Sequence, residues 1–335
     1  MLKRRTVCMA LATAFFVAGA AAPWTSSQAQ DAVRIGSSSI GSDFYTIAVG
    51  AGELIQKHAK VGASVESVGG STASINAVGA GKTEFALSNA FAATAGYNAT
   101  HMFKDRPIDV RLVLQGQPTF RILVARKGSG IKTPKDLEGK IVIAKRRALP
   151  ELELTMNAMA EVFGLDMSKI NLVETTNTGE VLTALRAGTV DAAIMPGGRK
   201  APQFEEPMHD GIIELVYFSK EDRDAILKLL PKAMHGQTIP AGDFSNQDQD
   251  LYSFELNSYF VARGDLSDDL VYNVAKAILD NNEEFVSYHK MAATWTAEVS
   301  LKDAAIPFHE GAIRYYKEKG LWTDELEAQQ KSLLK

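Results

Sequence analysis

Hydroxyl-bearing side chains cluster between the first predicted strand and the first predicted helix. Residues 36–43 read Gly-Ser-Ser-Ser-Ile-Gly-Ser-Asp and follow a short apolar strand. Their spacing and setting have the form of a phosphate-binding loop, but no lysine follows the second glycine, so nucleotide hydrolysis is not expected. Free backbone N–H groups at a helix start favour an anion. We therefore take Ser37, Ser38, Ser39 and Ile40 as candidate contacts for a small anionic ligand.

Three consecutive basic residues follow a second predicted strand. Lys145, Arg146 and Arg147 come directly after the apolar run 141–144, at a strand end and not along a helix. A guanidinium can hold a carboxylate by two parallel hydrogen bonds, so this group is a candidate clamp. A solvated turn is the alternative interpretation. Arg121 lies where the chain could first cross between two lobes, and either a clamp or an ion pair with an acid would explain it.

The other candidates occupy strand ends or the first turns of helices. Phe44 and Tyr45 begin a predicted helix beside the serine loop and could wall a pocket, although core packing explains at least one of them. A serine or asparagine at such a position can also be a simple helix N-cap, worth about 1 kcal/mol. The candidates at the remaining strand ends are Gly70, Ser71, Asn89, Gly197 and Gly198.

Catalytic and metal-binding motifs are absent from the sequence. No G-x-G-x-x-G follows a strand, and neither H-E-x-x-H nor G-x-S-x-G occurs. The six histidines show no metal-ligand spacing, so we expect no metal, no cofactor and no enzyme activity. An α/β hydrolase or transferase that is secreted and uses the 37–42 loop as nucleophile and anion hole is the remaining enzymatic alternative. It lacks an identifiable general base.

Composition and the N-terminus indicate an exported protein. Of 335 residues, 36 are Lys or Arg and 40 are Asp or Glu, so no basic field favours nucleic acid. A basic start at 3–5, an apolar run at 7–22 and small residues near position 29 predict a signal peptide over residues 1–29. Its removal would take away Cys8, the only cysteine. These features predict a periplasmic protein without disulfides, and we expect a monomer.

Strands and helices alternate along the rest of the chain, which predicts a mostly parallel sheet with helices on both faces. The same order returns 107 residues later, where 187–194 aligns with 80–87 as helix end, glycine, acidic residue and buried strand. We therefore predict two similar α/β lobes. Ligands of such sheets lie at the carboxyl ends of the strands, so two facing lobes would enclose a small ligand.

The run 35–45, Ile-Gly-Ser-Ser-Ser-Ile-Gly-Ser-Asp-Phe-Tyr, resembles the opening of the TAXI-family substrate-binding proteins. That opening reads roughly I-G-T-G-S-T-G-G-T-Y-Y. The family comprises extracytoplasmic receptors of one branch of tripartite ATP-independent periplasmic (TRAP) transporters. The likeness covers nearly the whole chain after the signal peptide and continues at 69–71, 80–88, 96–98, 131–140, 190–192, 238–242 and 308–318.

The resemblance implies a receptor that closes around a small organic anion and delivers it to ion-gradient-driven TRAP membrane subunits. The anion could be a carboxylate, an amino acid such as glutamate, a dicarboxylate or a 2-oxo acid. We predict a class II-like periplasmic-binding-protein fold, with lobe 1 formed by 30–117 plus 256–335 and lobe 2 by 118–255. The two hinge crossings would lie near 115–119 and 252–258. A sensory binding module for a membrane receptor kinase is the alternative.

Single positions match the family pattern unevenly. Ser39 and Tyr45 match its serine and second tyrosine, and Phe44 replaces its first tyrosine. Asn89 stands where the family usually has glutamine. The largest departure is 145–150, a basic and bulky loop where the family commonly has a small G-S-G-T-like turn. This loop implies either a second carboxylate on the ligand or a different ligand.

Overall fold

The computed structural model describes residues 32–334 and begins with a β-α-β-α-β unit. Ser42 caps the first helix by accepting from the Tyr45 N–H, and a π-helical turn, Ile55–Ala59, continues that helix. The elements from the start of the unit onwards are β1 (Val33–Ser37), α1 (Asp43–Leu54), β2 (Ala63–Ser67), α2 (Ser71–Gly79), β3 (Phe85–Asn89), α3 (Ala90–Tyr97) and β4 (Val110–Arg126).

A second β-α-β-α-β unit follows the long strand β4. Its elements are β5 (Ile141–Lys145), α4 (Glu151–Phe163), β6 (Asn171–Glu174), α5 (Thr178–Ala187) and β7 (Ala192–Gly197). Strand β5 begins 108 residues after β1, and β7 begins 107 residues after β3. The predicted repeat of architecture is therefore present.

The C-terminal third adds a second long strand and covering helices. In chain order its elements are α6 (Pro202–His209), β8 (Ile213–Leu215), α7 (Lys220–Leu227), β9 (His235–Ile239), β10 (Leu251–Arg263), α8 (Asp268–Leu279), α9 (Asn282–Tyr288), α10 (Ala297–Ser300), α11 (Glu310–Glu318) and α12 (Asp324–Leu333). Every helix within residues 32–334 is too short or too polar to span a bilayer.

The strands form a mixed sheet in the order β2-β1-β3-β10-β4-β7-β5-β6, with β8 beside β4 and β9 beside β10. Strands β2, β1 and β3 are mutually parallel, and we call them the first half-sheet. Strands β7, β5 and β6 are likewise parallel and form the second half-sheet. The predicted α/β fold of the two-lobed periplasmic-binding-protein type is confirmed.

Strands β4 and β10 pass through both halves. Residues 258–262 of β10 pair with β3, whereas residues 120–125 of β4 pair with β7. The antiparallel β4–β10 ladder shifts register between Asn257 and Ser258, beside the predicted crossings. The sequence boundaries of the two lobes stay a prediction, and the predicted signal peptide lies outside the described residues.

Buried apolar side chains form two clusters, and the larger one runs through both half-sheets, since it includes Val142 of β5 and Ile194 of β7. The larger contains Ile35 and Leu87 of the first half-sheet together with Phe260 of β10. The smaller contains Phe120 of β4 and Ile143 of β5, with the helices that pack on them. Because these cores fix the strands, the strand ends present their loops at defined positions.

Candidate functional site

A cavity of about 570 Å³ lies at the carboxyl ends of the parallel strands. This volume is in the range of small-molecule sites. Its wall comes from both half-sheets and from β4, which places it where facing α/β units bind ligands. The lining residues are 38–44, 69–71, 89, 119, 121, 146, 148–149, 176–179, 182, 196–197 and 203.

Most of the predicted site residues meet in this wall, although they come from six separate stretches of the chain. Their presence there fits the predicted role, and ligand contact itself stays a prediction. The predicted residues that line the cavity are Ser38, Ser39, Ile40, Phe44, Gly70, Ser71, Asn89, Arg121, Arg146 and Gly197.

Ser37 of the serine loop and Tyr45 of the following helix were predicted to contact the ligand but are not among the lining residues. The buried Ser37 hydroxyl donates to the Phe44 carbonyl at 3.0 Å, so it holds the loop against α1 and does not point at the cavity. Tyr45 is also outside the wall. Phe44 and Tyr45 point about 100° apart around helix α1, and of the two only Phe44 lines the cavity.

Lys145, Arg147 and Gly198 also lie outside the cavity wall. The Lys145 ammonium pairs with Glu153 at 3.0 Å, and Arg147 is exposed. The Met291 side chain covers Gly198 so closely that a Cβ there would overlap it. Arg146 and Arg147 lie beyond the end of β5, in the loop before α4. Of the three basic residues in the predicted clamp, only Arg146 lines the cavity, and ligand contact by any of them stays a prediction.

Arg146 is a buried guanidinium that forms no hydrogen bond with a carboxylate among residues 32–334. Its side chain lines the cavity, with the residue only 9% exposed. Within residues 32–334 its one hydrogen bond runs from Nη2 to the Thr178 hydroxyl at 3.3 Å, and its Nε has no partner. Burial, and after it the charge of Arg121, lowers the pKa of Arg146 to about 10. The residue is therefore a cation at neutral pH that forms no ion pair within the described chain, although the charges of Glu151 and Glu180 partly offset its own.

Arg121, in contrast, is already paired. Its Nη2 donates to Glu151 Oε1 at 2.5 Å, and both side chains are buried. Its Nη1 donates to the Phe120 carbonyl at 3.0 Å and to the Thr119 hydroxyl at 3.2 Å. The ion-pair interpretation of Arg121 is the one that the geometry bears out, although the residue also lines the cavity.

Glu151 was missed by the sequence reasoning. It is fully buried at the first position of α4, and its Oε1 also accepts from the Asn89 amide at 2.9 Å. The sequence signal was an acidic residue in the first turn of a helix that follows a basic loop. Acidic residues are common at this position because the helix dipole favours them, so the signal does not single out Glu151. Its contacts with Asn89 and Arg121 depend on the order of the strands in the sheet, so no local sequence pattern predicts them.

The helix starts at the cavity differ in how they are capped. Asn89 Oδ1 accepts from the Ala92 N–H at 2.8 Å, and Asn177 caps α5 in the same way. The N-cap interpretation therefore holds for Asn89. Helix α2 begins after Gly70 with no side-chain cap. Because Gly70 and Ser71 line the cavity, the N-terminal N–H groups of α2 are available to an anion.

Elements of the two half-sheets touch beside the cavity. Gly70 has φ +145°, and a Cβ placed on it would lie 2.7 Å from the Ala148 Cβ. The Thr72 hydroxyl donates to the Ala148 carbonyl at 3.4 Å. Together with the Asn89–Glu151 hydrogen bond, these contacts join loops of the first half-sheet to the β5–α4 loop and the start of α4.

Asp43 is the only acidic residue in the wall as far as the described chain goes, and it lies at the start of α1. Its carboxylate is 3.4 Å from the His289 ring, and its side chain is 31% exposed. Residues 32–334 contain no group of three or more His, Cys, Asp and Glu side chains that could hold a metal ion. The cavity therefore offers buried cationic and N–H donors, which suit an anion.

Fold and cavity together define a two-lobed α/β protein with a polar site between parallel half-sheets. The model of the NMT1-like family matches residues 35–320, and the chain belongs to this family.

Three solved structures are similar to this chain. MatC from Rhodopseudomonas palustris, with bound malate, is 14% identical with a TM-score of 0.52 over 88% of this chain and 99% of its own. A protein from Bordetella bronchiseptica RB50 is 13% identical and has a TM-score of 0.52. The match covers 86% of this chain and 98% of that protein. The periplasmic aliphatic sulphonate binding protein SsuA from Escherichia coli is 13% identical and has a TM-score of 0.46. This match covers 91% of this chain and 94% of SsuA. At such identities the first two likenesses show the fold alone.

Proposed function

We propose that this protein is a periplasmic receptor that binds a small organic anion in the cavity between its half-sheets. The observation that carries the proposal is Arg146, a buried guanidinium that lines the cavity and has no carboxylate partner in the described chain. An unpaired buried charge is costly, and a ligand carboxylate would compensate it. Charge-assisted hydrogen bonds of this kind contribute about 1.5–3 kcal/mol each.

Several donors near Arg146 support a carboxylate as the bound group. The N–H groups at the uncapped start of α2 and the hydroxyls of Ser38, Ser39 and Thr178 lie in the same wall. Such neutral donors orient a carboxylate and add specificity to the charge. Since the donors come from both half-sheets, a bound anion contacts the two sides together and favours their closed arrangement.

The binding proposal is tested by titrating the purified protein with small carboxylates, 2-oxo acids and amino acids in a thermal-shift assay, followed by calorimetry of the hits. A ligand that binds only the folded state raises the melting temperature. Arg146→Gln should lower the affinity for a carboxylate hit by at least about tenfold, since it removes a charge-assisted contact.

Arg147→Gln is the matched control, because it removes the same charge from an exposed neighbour outside the cavity wall. It should bind like the wild type. Equal affinities for wild type and Arg146→Gln, with Arg146→Gln folded, would contradict the site. The absence of any carboxylate, 2-oxo acid or amino acid hit would contradict the ligand class.

Delivery to TRAP membrane subunits is the finer part of the proposal. It is supported by the resemblance of 35–45 and the later segments to TAXI-family receptors. The test is uptake of the ligand by cells that hold this protein together with its candidate membrane subunits. Gradient-driven delivery predicts uptake that a sodium or proton ionophore abolishes. Ligand binding with no uptake, and with ligand-dependent binding to a receptor kinase instead, would favour the sensory alternative.

Export is the remaining part of the proposal, and it is supported by the signal-peptide pattern of residues 1–29. Expression of the full-length gene in a Gram-negative host, osmotic-shock fractionation and N-terminal sequencing test it. We expect the protein in the periplasmic fraction with a new N-terminus close to residue 30. An uncleaved chain in the cytoplasmic fraction would contradict the prediction.

A further inference from the structure

Three buried ionisable side chains adjoin the cavity, and their charges do not cancel. Arg121 is 3% exposed, Arg146 is 9% exposed and Glu151 is 0% exposed. Two cations and one carboxylate leave one positive charge without a partner. Because Glu151 contacts Arg121 at 2.5 Å, the uncompensated charge is that of Arg146.

The hydrogen bonds also show that Arg121 is the more fully paired of the two arginines. The terminal nitrogens of Arg121 already donate to Glu151, to the Phe120 carbonyl and to the Thr119 hydroxyl. The guanidinium of Arg146 donates only to Thr178 within the described chain, at 3.3 Å. Within the described chain Arg146 therefore retains Nε and Nη1 for contact with a carboxylate, whereas on Arg121 only the buried Nε has no partner.

We propose that Glu151 restricts the ligand to a single carboxylate by occupying and neutralising Arg121. This inference rests on the proposed function and names its substrate class: small monocarboxylates are bound in preference to dicarboxylates of the same length. A second carboxylate in the cavity would find Arg121 already paired and would be repelled by the charge of Glu151 behind it. Burial strengthens this repulsion, since little water screens it.

The other carboxylates near the cavity also disfavour a second carboxylate on the ligand. Asp43 lies in the wall and adds negative charge there, although His289 lies 3.4 Å from it. Glu180 is exposed and accepts from Thr176 and Asn177, so solvent screens its effect on Arg146. Neither supplies a site for a second ligand carboxylate.

The test compares ligands that differ by one carboxylate in place of a methyl group: butyrate with succinate, and valerate with glutarate. Calorimetry on the protein purified from the full-length gene gives the ratio of dissociation constants for each pair. We expect the wild type to bind the monocarboxylate at least about tenfold more tightly. A wild type that prefers the dicarboxylates overturns the inference without any variant.

Glu151→Gln removes the charge and keeps an oxygen that can accept from Asn89 or Arg121. We expect it to move the preference at least about tenfold towards the dicarboxylates, because Arg121 is then free to hold the second carboxylate. Glu153→Gln is the control, since Glu153 lies on the same helix, pairs with Lys145 and is 43% exposed in its side chain. It should keep the wild-type ratio.

The outcomes separate the inference from the proposed function. If the wild type binds neither member of any pair and no other organic acid, both are overturned. If it binds both members with equal affinity, or if a folded Glu151→Gln keeps the wild-type ratio, the inference fails and the proposed anion receptor stands.

Discussion

Gly69 and Gly70 are adjacent but have different surroundings. Both have a positive φ, +104° and +145°, which strains any other residue. A Cβ on Gly69 would meet nothing within 4 Å, whereas one on Gly70 would lie 2.7 Å from the Ala148 Cβ. Gly70 is therefore needed for the close approach of the two half-sheets as well as for its backbone conformation.

Substitution of the two glycines separates these effects. We expect Gly69→Ala to destabilise the fold by roughly 1 kcal/mol through backbone strain. Gly70→Ala should add an overlap with Ala148 and weaken ligand binding, because the halves then close less fully. Urea unfolding and calorimetric titration measure the two quantities. Equal losses of ligand affinity in both variants would contradict a role for the Gly70–Ala148 contact.

Helix α11 begins with a buried histidine as its N-cap. His309 Nδ1 accepts from the Gly311 N–H at 3.1 Å, and the residue is 2% exposed. Burial lowers the pKa of His309 below its usual value, and this outweighs the opposing effect of Asp268. Arg111 also lowers that pKa and Asp109 raises it. The helix start therefore requires the neutral ring.

This cap predicts a loss of stability in mild acid. Below the ordinary histidine pKa of about 6.5 the unfolded chain binds a proton that the folded chain does not, so the free energy of unfolding falls as pH decreases. Because one proton is involved, the free energy of unfolding falls by at most about 1.4 kcal/mol per pH unit from this group. We expect His309→Asn, which keeps a capping oxygen, to lose less stability between pH 7.5 and 5.5 in urea unfolding.

His209→Asn is the control for that experiment. The His209 side chain is 85% exposed, so this substitution should leave the wild-type pH dependence in place. An unchanged slope in His309→Asn would mean that other groups cause the acid sensitivity.

At the scale of the whole molecule, the two halves are joined where β4 and β10 cross between them. Gly116 of β4 lies so close to the Trp295 indole that a Cβ would overlap the ring. The Trp295 Nε1 donates to the Gln117 side chain, and the ring is buried. Any bending of β4 at this point must therefore change the surroundings of Trp295.

Ligand-induced closure should accordingly change the fluorescence of Trp295. Trp322 packs against Phe308 and Tyr316, remote in sequence from the crossing, and should contribute no change. We expect Trp322→Phe to keep the ligand-dependent signal and Trp295→Phe to lose it, both measured with a ligand found by thermal shift. A signal that survives in Trp295→Phe would contradict bending at Gly116.

The strand–helix order, the 107-residue repeat and part of the cavity wall could be predicted from the sequence. The reason is local: periodicity and turn residues reflect neighbours a few positions apart, and strand ends in parallel sheets share one edge. Ser39, Gly70, Asn89 and Arg146 were found in this way. The helix-cap role of Asn89 was likewise a property of its immediate neighbours.

Only the tertiary structure decided which charges act together. Lys145, Arg146 and Arg147 have similar local signals, yet in the folded chain only Arg146 lines the cavity, while Lys145 pairs with Glu153. Glu151 meets Arg121 and Asn89 across 30 and 62 residues of sequence. Contacts of such separation depend on the order in which the strands assemble and on the crossing of β4 and β10, which no local pattern encodes.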